Sequence, residues 1–182
     1  METDTLMKQP VITAKRVVLR PLRASDKGLL EMYAGDKRVS SYTRSIPHPL
    51  PPGAAEALII KATAADRVED IWAMDGTETG LGELVGLIGL ERMEAGNRVQ
   101  SEIGYWVAPA MWNTGLASDA VHALLSANPQ GCDTVFGEVF QDNPVSARVL
   151  TNAGFEYIGD AETFCVARNC KVQTWTYLKK LK

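Results

Sequence analysis

The residues with the clearest chemical potential lie in a short loop between a strand pattern and a helix pattern. Residues 101–107 are rich in aromatic and β-branched side chains, which favours a strand, and Pro109 ends it because proline lacks the N–H of a sheet ladder. From Leu116 onward, apolar residues recur at helical spacing. The loop between them ends in Thr114-Gly115, so the unpartnered first-turn N–H groups and the positive end of the helix dipole face it. Such an arrangement can hold a phosphate group.

Glycine spacing excludes two other kinds of phosphate-binding loop. The Walker string is absent, and the nearest dinucleotide candidate, Gly82 to Gly89, has the wrong spacing and no helix after it. No Lys or Arg lies between Glu102 and Ser126, so an anion bound here would be held mainly by backbone groups. Taken alone, the pattern also fits small residues that only ease the packing of a helix on a sheet.

A second motif follows a strand-like segment at residues 134–140. The sequence from Asn143 to Phe155 (Asn-Pro-Val-Ser-Ala-Arg-Val-Leu-Thr-Asn-Ala-Gly-Phe) resembles motif B of the GNAT superfamily of N-acetyltransferases. The stretch from Trp112 to Ala120 then resembles motif A of that superfamily, its pyrophosphate loop. Residues 10–26 resemble the opening of the RimJ/RimL-type branch, the ribosomal-protein-alanine acetyltransferases. The resemblance covers nearly the whole chain in the right order.

This resemblance implies an α/β fold with a mixed, mostly antiparallel central sheet of six to seven strands and helices on both faces. Strands four and five, residues 101–107 and 134–140, are expected to splay apart, so that the pantetheine arm of acetyl-CoA lies between them like an added strand. We expect a single N-acetyltransferase domain over residues 10–182, preceded by a flexible tail at residues 1–9.

The resemblance also implies where acetyl-CoA binds as a co-substrate. The motif A loop is expected to cradle the pyrophosphate, and the backbone of strand four to face the pantetheine arm. Asn143 is expected to bind that arm, to cap its helix, or to do both. No metal is expected. The expected cofactor-binding residues are Trp106, Val107, Ala108, Trp112, Asn113, Thr114, Gly115, Leu116, Ala117, Ser118, Asn143 and Ser146.

Acetyl transfer to an amine requires a neutral amine for attack and a proton for the departing sulfur. Glu138 matches the position of a general base in some family members, and Glu102 matches an acidic residue of RimJ/RimL-type chains. Either glutamate fits a base or an amine-binding group, and each also fits a solvated or salt-bridged residue at a strand end. Ser146 is the candidate donor to the sulfur, or else a residue that caps or packs its helix.

Four positions depart from the family pattern. Trp112 stands where the superfamily has Gln or Arg, Thr114 where the branch carries Lys, Arg or Gln, and Asp119 where it has Glu. Leu150 replaces the tyrosine that many relatives use as the acid. We therefore predict an acetyl-CoA-dependent N-acetyltransferase acting on a protein N-terminus, a peptide or a small amine. A non-catalytic acyl-CoA-binding or regulatory domain on the same fold is the alternative, and an unrelated α/β binding module is the third hypothesis.

Composition limits the partners and the compartment. The net charge is −3 with both signs interspersed, which argues against the basic stripe of a nucleic-acid-binding protein. No apolar run approaches the roughly 20 residues of a membrane span, and the N-terminus lacks a secretion signal, so we expect a cytoplasmic protein. Cys165 and Cys170 could face each other across a hairpin, although reduced thiols are favoured. The expected partners are acetyl-CoA and an amine acceptor, with a monomeric or homodimeric assembly.

Overall fold

One mixed sheet of eight strands organises the chain in the computed structural model, which describes residues 9–182. The spatial order is β1-β2-β3-β4-β5-β6-β8-β7, and every neighbouring pair is antiparallel except β5 and β6. The strands are β1 (Ile12–Thr13), β2 (Val18–Pro21), β3 (Glu69–Asp75), β4 (Gly86–Met93), β5 (Gln100–Val107), β6 (Thr134–Phe140), β7 (Glu156–Cys165) and β8 (Cys170–Lys180).

Helices cover both faces of this sheet, as expected. They are α1 (Lys27–Ala34), α2 (Lys37–Ser40), α3 (Ala54–Thr63), α4 (Leu116–Ala127) and α5 (Pro144–Asn152). One core joins α4 and α5 to the sheet through residues such as Leu124, Leu150 and Ile103, and a second joins α1 and α3 through Leu30 and Ile59. None of the helices in residues 9–182 is long and apolar enough to cross a bilayer.

The strand count is the one correction to the expected sheet. The sequence predicts one continuous first strand over residues 11–22, but it is broken by a turn in which the Ala14 N–H donates to the Val17 carbonyl. The chain folds back there, so β1 and β2 pair with each other and the sheet has eight strands rather than six or seven. Of the predicted tail, residues 1–8 lie outside the described residues, while the Gln9 amide donates to the Ile71 carbonyl at 2.7 Å.

The predicted splay of the fourth and fifth strands, here β5 and β6, is confirmed. The parallel pairing runs only from Gln100–Thr134 to Ile103–Gly137. Both strands then continue, β5 to Val107 and β6 to Phe140, without pairing to each other. The result is a wedge-shaped gap between them, which we call the wedge.

Candidate active site

The loop before α4 presents a run of backbone N–H groups. Asn113 and Gly115 have positive φ of 60° and 82°, and Gly115 is the N-cap residue of α4. The first N–H with a partner is that of Asp119, which donates to the Gly115 carbonyl. Within residues 9–182, the N–H groups of residues 113–118 have no hydrogen-bond acceptor. The loop is exposed, so these donors are open to an anionic ligand, and the positive end of the helix dipole supports one.

A cation that the local sequence does not reveal lies beside this loop. Arg16, in the turn between β1 and β2, places its Nε 2.8 Å from Oδ2 of Asp119 in the first turn of α4. Its Nη2 lies 3.0 Å from the position that a Cβ on Gly115 would take. Neither Nη atom has an acceptor among the described residues. An anion on the loop would therefore meet a guanidinium as well as backbone donors.

Of the three residues whose backbone was expected to face the pantetheine arm, Trp106, Val107 and Ala108, one turns its N–H group toward the wedge. The Ala108 N–H donates to the Val85 carbonyl and the Ala108 carbonyl accepts from Met111, so both groups are already used. The direction of the backbone hydrogen bonds alternates along an antiparallel ladder. The backbone N–H and carbonyl of Trp106, two residues before Ala108, therefore also point toward β4. The expectation that Trp106 and Ala108 face the pantetheine arm through their backbone is therefore wrong. The same alternation turns the Val107 N–H toward the wedge.

The Val107 carbonyl is already bonded to Trp112. The indole Nε1 of Trp112 donates to that carbonyl at 2.8 Å, while 43% of the Trp112 surface remains exposed. The tryptophan that departs from the family pattern thus ties the loop back to the end of β5. It presents an aromatic face at the mouth of the wedge in place of the side-chain amide or guanidinium of Gln or Arg.

Helix α5 forms the other side of the wedge. The Asn143 side chain caps the helix by accepting the Ser146 N–H at 3.4 Å. The Ser146 hydroxyl donates to the Tyr105 hydroxyl of β5 at 3.0 Å, and that hydroxyl donates to the Ser146 carbonyl at 3.0 Å. Burial raises the pKa of Tyr105, with the Ser146 hydrogen bond opposing the shift, so this phenol is neutral. Leu150 is fully buried and fills the space above Gly137, where it cannot donate a proton.

The two candidate bases lie on the opposite face of the sheet, the one that packs against α1 and α3, and one guanidinium joins them. Arg44, in the segment between α2 and α3, places Nη2 2.8 Å from Glu102 and Nη1 3.5 Å from Glu138. The same Nη2 is 4.0 Å from Glu91 on β4. Both Glu102 and Glu138 are mostly buried. Burial raises the pKa of Glu102, Arg44 lowers it, and the neighbouring Glu138 raises it, with a net upward shift.

Gly104, which has no side chain, lies on β5 next to these carboxylates. Gly104 is two residues from Glu102 on the same face, it is exposed, and a Cβ built on it would meet nothing within 4 Å. The open space above Gly104 lies at the point where β5 and β6 separate, because the pairing ends at Ile103. A ligand chain can therefore approach the wedge from the carboxylate face while an anion is bound on the α4 face.

The structure thus brings the predicted loop, Ser146 and the two glutamates to one wedge, and adds Arg16, Arg44 and Tyr105. Sequence reasoning missed Arg16 and Arg44 because each reaches the site from a distant segment, and Tyr105 because it resembles an ordinary strand aromatic. Only the resemblance of residues 10–26 to a branch-specific opening gave a signal for Arg16. In residues 9–182, no group of three or more His, Cys, Asp or Glu could hold a metal ion. Cys165 and Cys170 are register partners in the β7–β8 hairpin and both are free thiols.

Comparison with known proteins agrees with this architecture. The acetyltransferase (GNAT) domain family matches residues 16–156. An uncharacterized N-acetyltransferase of Bacillus subtilis, YoaA, is 24% identical over 153 residues, which cover 82% of this chain and 85% of YoaA.

Two solved structures share the fold. Mycobacterium smegmatis RimJ, in complex with CoA-disulfide, superposes with a TM-score of 0.79 at 17% identity, covering 96% of this chain and 88% of RimJ. Spermidine N-acetyltransferase from Vibrio cholerae, in complex with CoA and spermine, gives 0.73 at 19% identity, covering 91% and 98%. With a family match over more than three quarters of its length and this fold, the chain is a member of the GNAT acetyltransferase family.

Proposed function

We propose that this protein transfers an acetyl group from acetyl-CoA to a primary amine by direct attack on the thioester, as a RimJ/RimL-type N-acetyltransferase. The wedge between β5 and β6 carries the proposal. Unpartnered N–H donors lie beside it at the start of α4, and two mostly buried glutamates lie on the opposite face of the sheet. The donors can bind the phosphates of the acetyl donor, and a glutamate can take the proton of the amine. The acceptor is a protein N-terminus, a peptide or a small molecule.

Acetyl-CoA supplies the activated acyl group, and the chain supplies position and charge. We assign the N–H groups of residues 113–118 to the pyrophosphate, with Trp112 at the mouth of the wedge. The Val107 N–H pairs with the pantetheine arm, as a neighbouring strand would. Asn143 holds the first turn of α5 and thereby the position of Ser146. Placement of this kind lowers the activation free energy of a bimolecular reaction by roughly 7–11 kcal/mol, so modest acid–base catalysis is sufficient. RimJ and the Vibrio enzyme bind CoA on the same fold, which supports the assignment.

Glu102 or Glu138 takes the proton of the incoming amine. The pKa of an alkyl ammonium is near 10, so the amine must lose a proton before it attacks. Burial raises the pKa of Glu102, which makes its carboxylate a stronger base than an ordinary one, and Glu138 lies closer to the open part of the wedge. Ser146 donates a hydrogen bond to the departing sulfur.

The test is thiol release from acetyl-CoA with a panel of primary amines. We expect Glu102→Gln or Glu138→Gln to lower kcat/KM by about 10²–10⁴-fold, the usual contribution of a general base, and the other variant by less than about tenfold. Glu162→Gln, which neutralises an exposed carboxylate of β7 outside this cluster, is the matched control. CoA affinity should be unchanged in all three. If both variants keep full activity, neither glutamate is the base.

Two observations favour a second candidate, a non-catalytic acyl-CoA-binding or regulatory domain. Leu150 leaves no tyrosine at the usual place, and Arg44 pairs with both candidate bases. Such a protein would bind CoA and gain thermal stability from it, yet release no thiol with any amine in the panel. Failure of CoA to raise the melting temperature would instead favour the unrelated binding module.

Substitution of Arg16 tests whether the loop before α4 binds the phosphates of CoA. We expect Arg16→Gln to weaken CoA binding roughly tenfold or more, because a hydrogen bond to a charged group contributes about 1.5–3 kcal/mol. The loss also exposes the Asp119 carboxylate, which repels phosphate. Isothermal titration calorimetry measures the effect, and Arg16→Lys should recover part of it. Arg98→Gln, an exposed arginine before the opposite end of β5, should leave the affinity unchanged. Equal affinities for Arg16→Gln and wild type would place the phosphates elsewhere.

We place the protein in the cytoplasm as a monomer or homodimer. The three cysteines, Cys132, Cys165 and Cys170, are all unpaired, as is usual in a reducing compartment.

A further inference from the structure

Arg44 lies among the carboxylates that the proposed chemistry needs, and that chemistry gives it no role. Its guanidinium reaches three carboxylates on three strands, those of Glu102, Glu138 and Glu91. A positive group therefore already sits where the proton of an incoming ammonium must be received. An amine acceptor has to displace this side chain or share its partners.

The anchoring of this segment leaves the side chain free to move. The Arg44 carbonyl accepts from the Val166 N–H at 3.0 Å, and the nearby Ser41 carbonyl accepts from Nε of Arg168 at 2.7 Å. The Arg168 guanidinium also lies over the rings of Tyr42 and Phe140, so the backbone is fixed to the β7–β8 hairpin and to β6. The Arg44 side chain itself is 43% exposed. A long, half-exposed side chain on a fixed backbone can leave its site without unfolding the segment.

Arg44 does not balance the charge around it. A fourth carboxylate, Glu69, lies above Gly89 on the same face, and burial together with Glu91 raises its pKa. Lys61 is the other cation that influences Glu69. The Arg44 guanidinium and the Lys61 ammonium thus face four carboxylates. An excess of partly buried negative charge favours a ligand that brings more than one positive charge.

The chemistry of transfer explains why one charge is insufficient for the acceptor. The reacting nitrogen must become neutral before attack, so it cannot also neutralise the cluster. A second nitrogen on the same molecule can stay protonated and form ion pairs with the carboxylates that Arg44 leaves. The open space above Gly104, two residues along β5 from Glu102, gives an extended chain room between these carboxylates and the wedge.

We propose that Arg44 is a displaceable internal occupant of the acceptor site, and that the acceptor is an extended aliphatic amine with at least two positive charges. The inference rests on the proposed function, whose acceptor it specifies. Arg44 competes with the distal ammonium group of the acceptor for Glu102, Glu138 and Glu91. It thereby holds the carboxylates paired when no acceptor is bound and lowers the apparent affinity of an acceptor whose distal charge must take its place.

The test compares 1,4-diaminobutane with butylamine on the CoA-loaded protein near pH 8, where both are protonated. For Arg44→Met, which keeps the apolar stem and removes the charge, we expect calorimetry to give about tenfold tighter binding of 1,4-diaminobutane. This is the gain if Arg44 occupies the site about nine-tenths of the time. Butylamine should change by less than about threefold, and CoA affinity should not change. Arg38→Met, an exposed arginine of α2 paired only with Asp36, is the matched control.

Two outcomes would overturn the inference. Unchanged or weaker diamine binding to Arg44→Met would mean that Arg44 does not compete with the acceptor. An equal gain for butylamine would mean that the second charge is irrelevant. Arg44→Gln repeats the measurement if the melting temperature of Arg44→Met shows a damaged fold. Tighter diamine binding without any thiol release would leave this inference standing while refuting the transfer function.

Discussion

Gly115→Asp should abolish CoA binding and leave the protein folded. Gly115 is exposed, has a φ of 82°, and caps α4 beside the unpartnered N–H groups of residues 113–118. A Cβ there would approach only Nη2 of Arg16, at 3.0 Å, so nothing in the core resists the new side chain. Aspartate tolerates this backbone region better than most residues, at a cost of about 1–2 kcal/mol. Its carboxylate would pair with Arg16 and repel the pyrophosphate from the helix N-terminus.

The measurement is calorimetric titration with CoA, with circular dichroism and thermal unfolding to establish that the variant is folded. We expect at least a hundredfold loss of affinity, because both a repulsive charge and the loss of Arg16 act on the same ligand. Gly115→Asn is the matched control, since it has the same shape, also tolerates positive φ, and is neutral. It should bind more weakly than wild type but more tightly than Gly115→Asp. If Gly115→Asp binds CoA as wild type does, the loop does not hold the pyrophosphate.

Local signals in the sequence were sufficient to predict the loop before α4, whereas the splay of β5 and β6 was expected only from the family resemblance. Pro109 ends a strand and Gly115 begins a helix for reasons that lie within a few residues of each, so the loop between them follows from covalent geometry. The strand end at Cys165 had no such signal. The sequence predicts a strand only over residues 155–158, whereas β7 extends to Cys165. The strand lies at the sheet edge with most side chains exposed and therefore lacks the alternation that marks a half-buried strand.

The two arginines of the site could not be predicted, since their positions depend on contacts between distant segments. Arg16 reaches α4 only because a turn at residues 14–17 breaks the first strand, and Arg44 reaches β5 only because the β7–β8 hairpin holds its segment. Arg44 lies near no motif, and Arg16 lies only within the segment at residues 10–26 that resembles the branch-specific opening. The same limit applies to Tyr105, which reads as an ordinary strand aromatic until α5 packs against it. Motif reasoning therefore gave the residues assigned to the cofactor and the two candidate bases, and missed the two arginines beside them.

Ser146 is expected to contribute most of the chemical assistance at the sulfur. Leu150 is buried against Gly137, so the tyrosine that relatives use as an acid has no substitute at that position. The Ser146 hydroxyl lies in the first turn of α5, where the helix dipole favours a developing thiolate. Its hydrogen is directed to the Tyr105 hydroxyl, which fixes the side chain at the wedge before a ligand arrives. A developing negative charge on sulfur would be a better acceptor than the neutral phenol and would draw that hydrogen away.

Ser146→Ala should therefore lower kcat well over tenfold, within the ~10²–10⁴-fold range of general acid catalysis, with little change in KM for acetyl-CoA. Tyr105→Phe should lower kcat less, because the serine remains but is no longer held in place. If Tyr105 acts only through Ser146, the double variant should be no slower than Ser146→Ala alone. Tyr177→Phe, a buried tyrosine of the same core, is the control for loss of a phenol hydroxyl. Should kcat of Ser146→Ala fall less than threefold with the true acceptor, Ser146 only shapes its helix. Catalysis would then depend on positioning, with water protonating the sulfur.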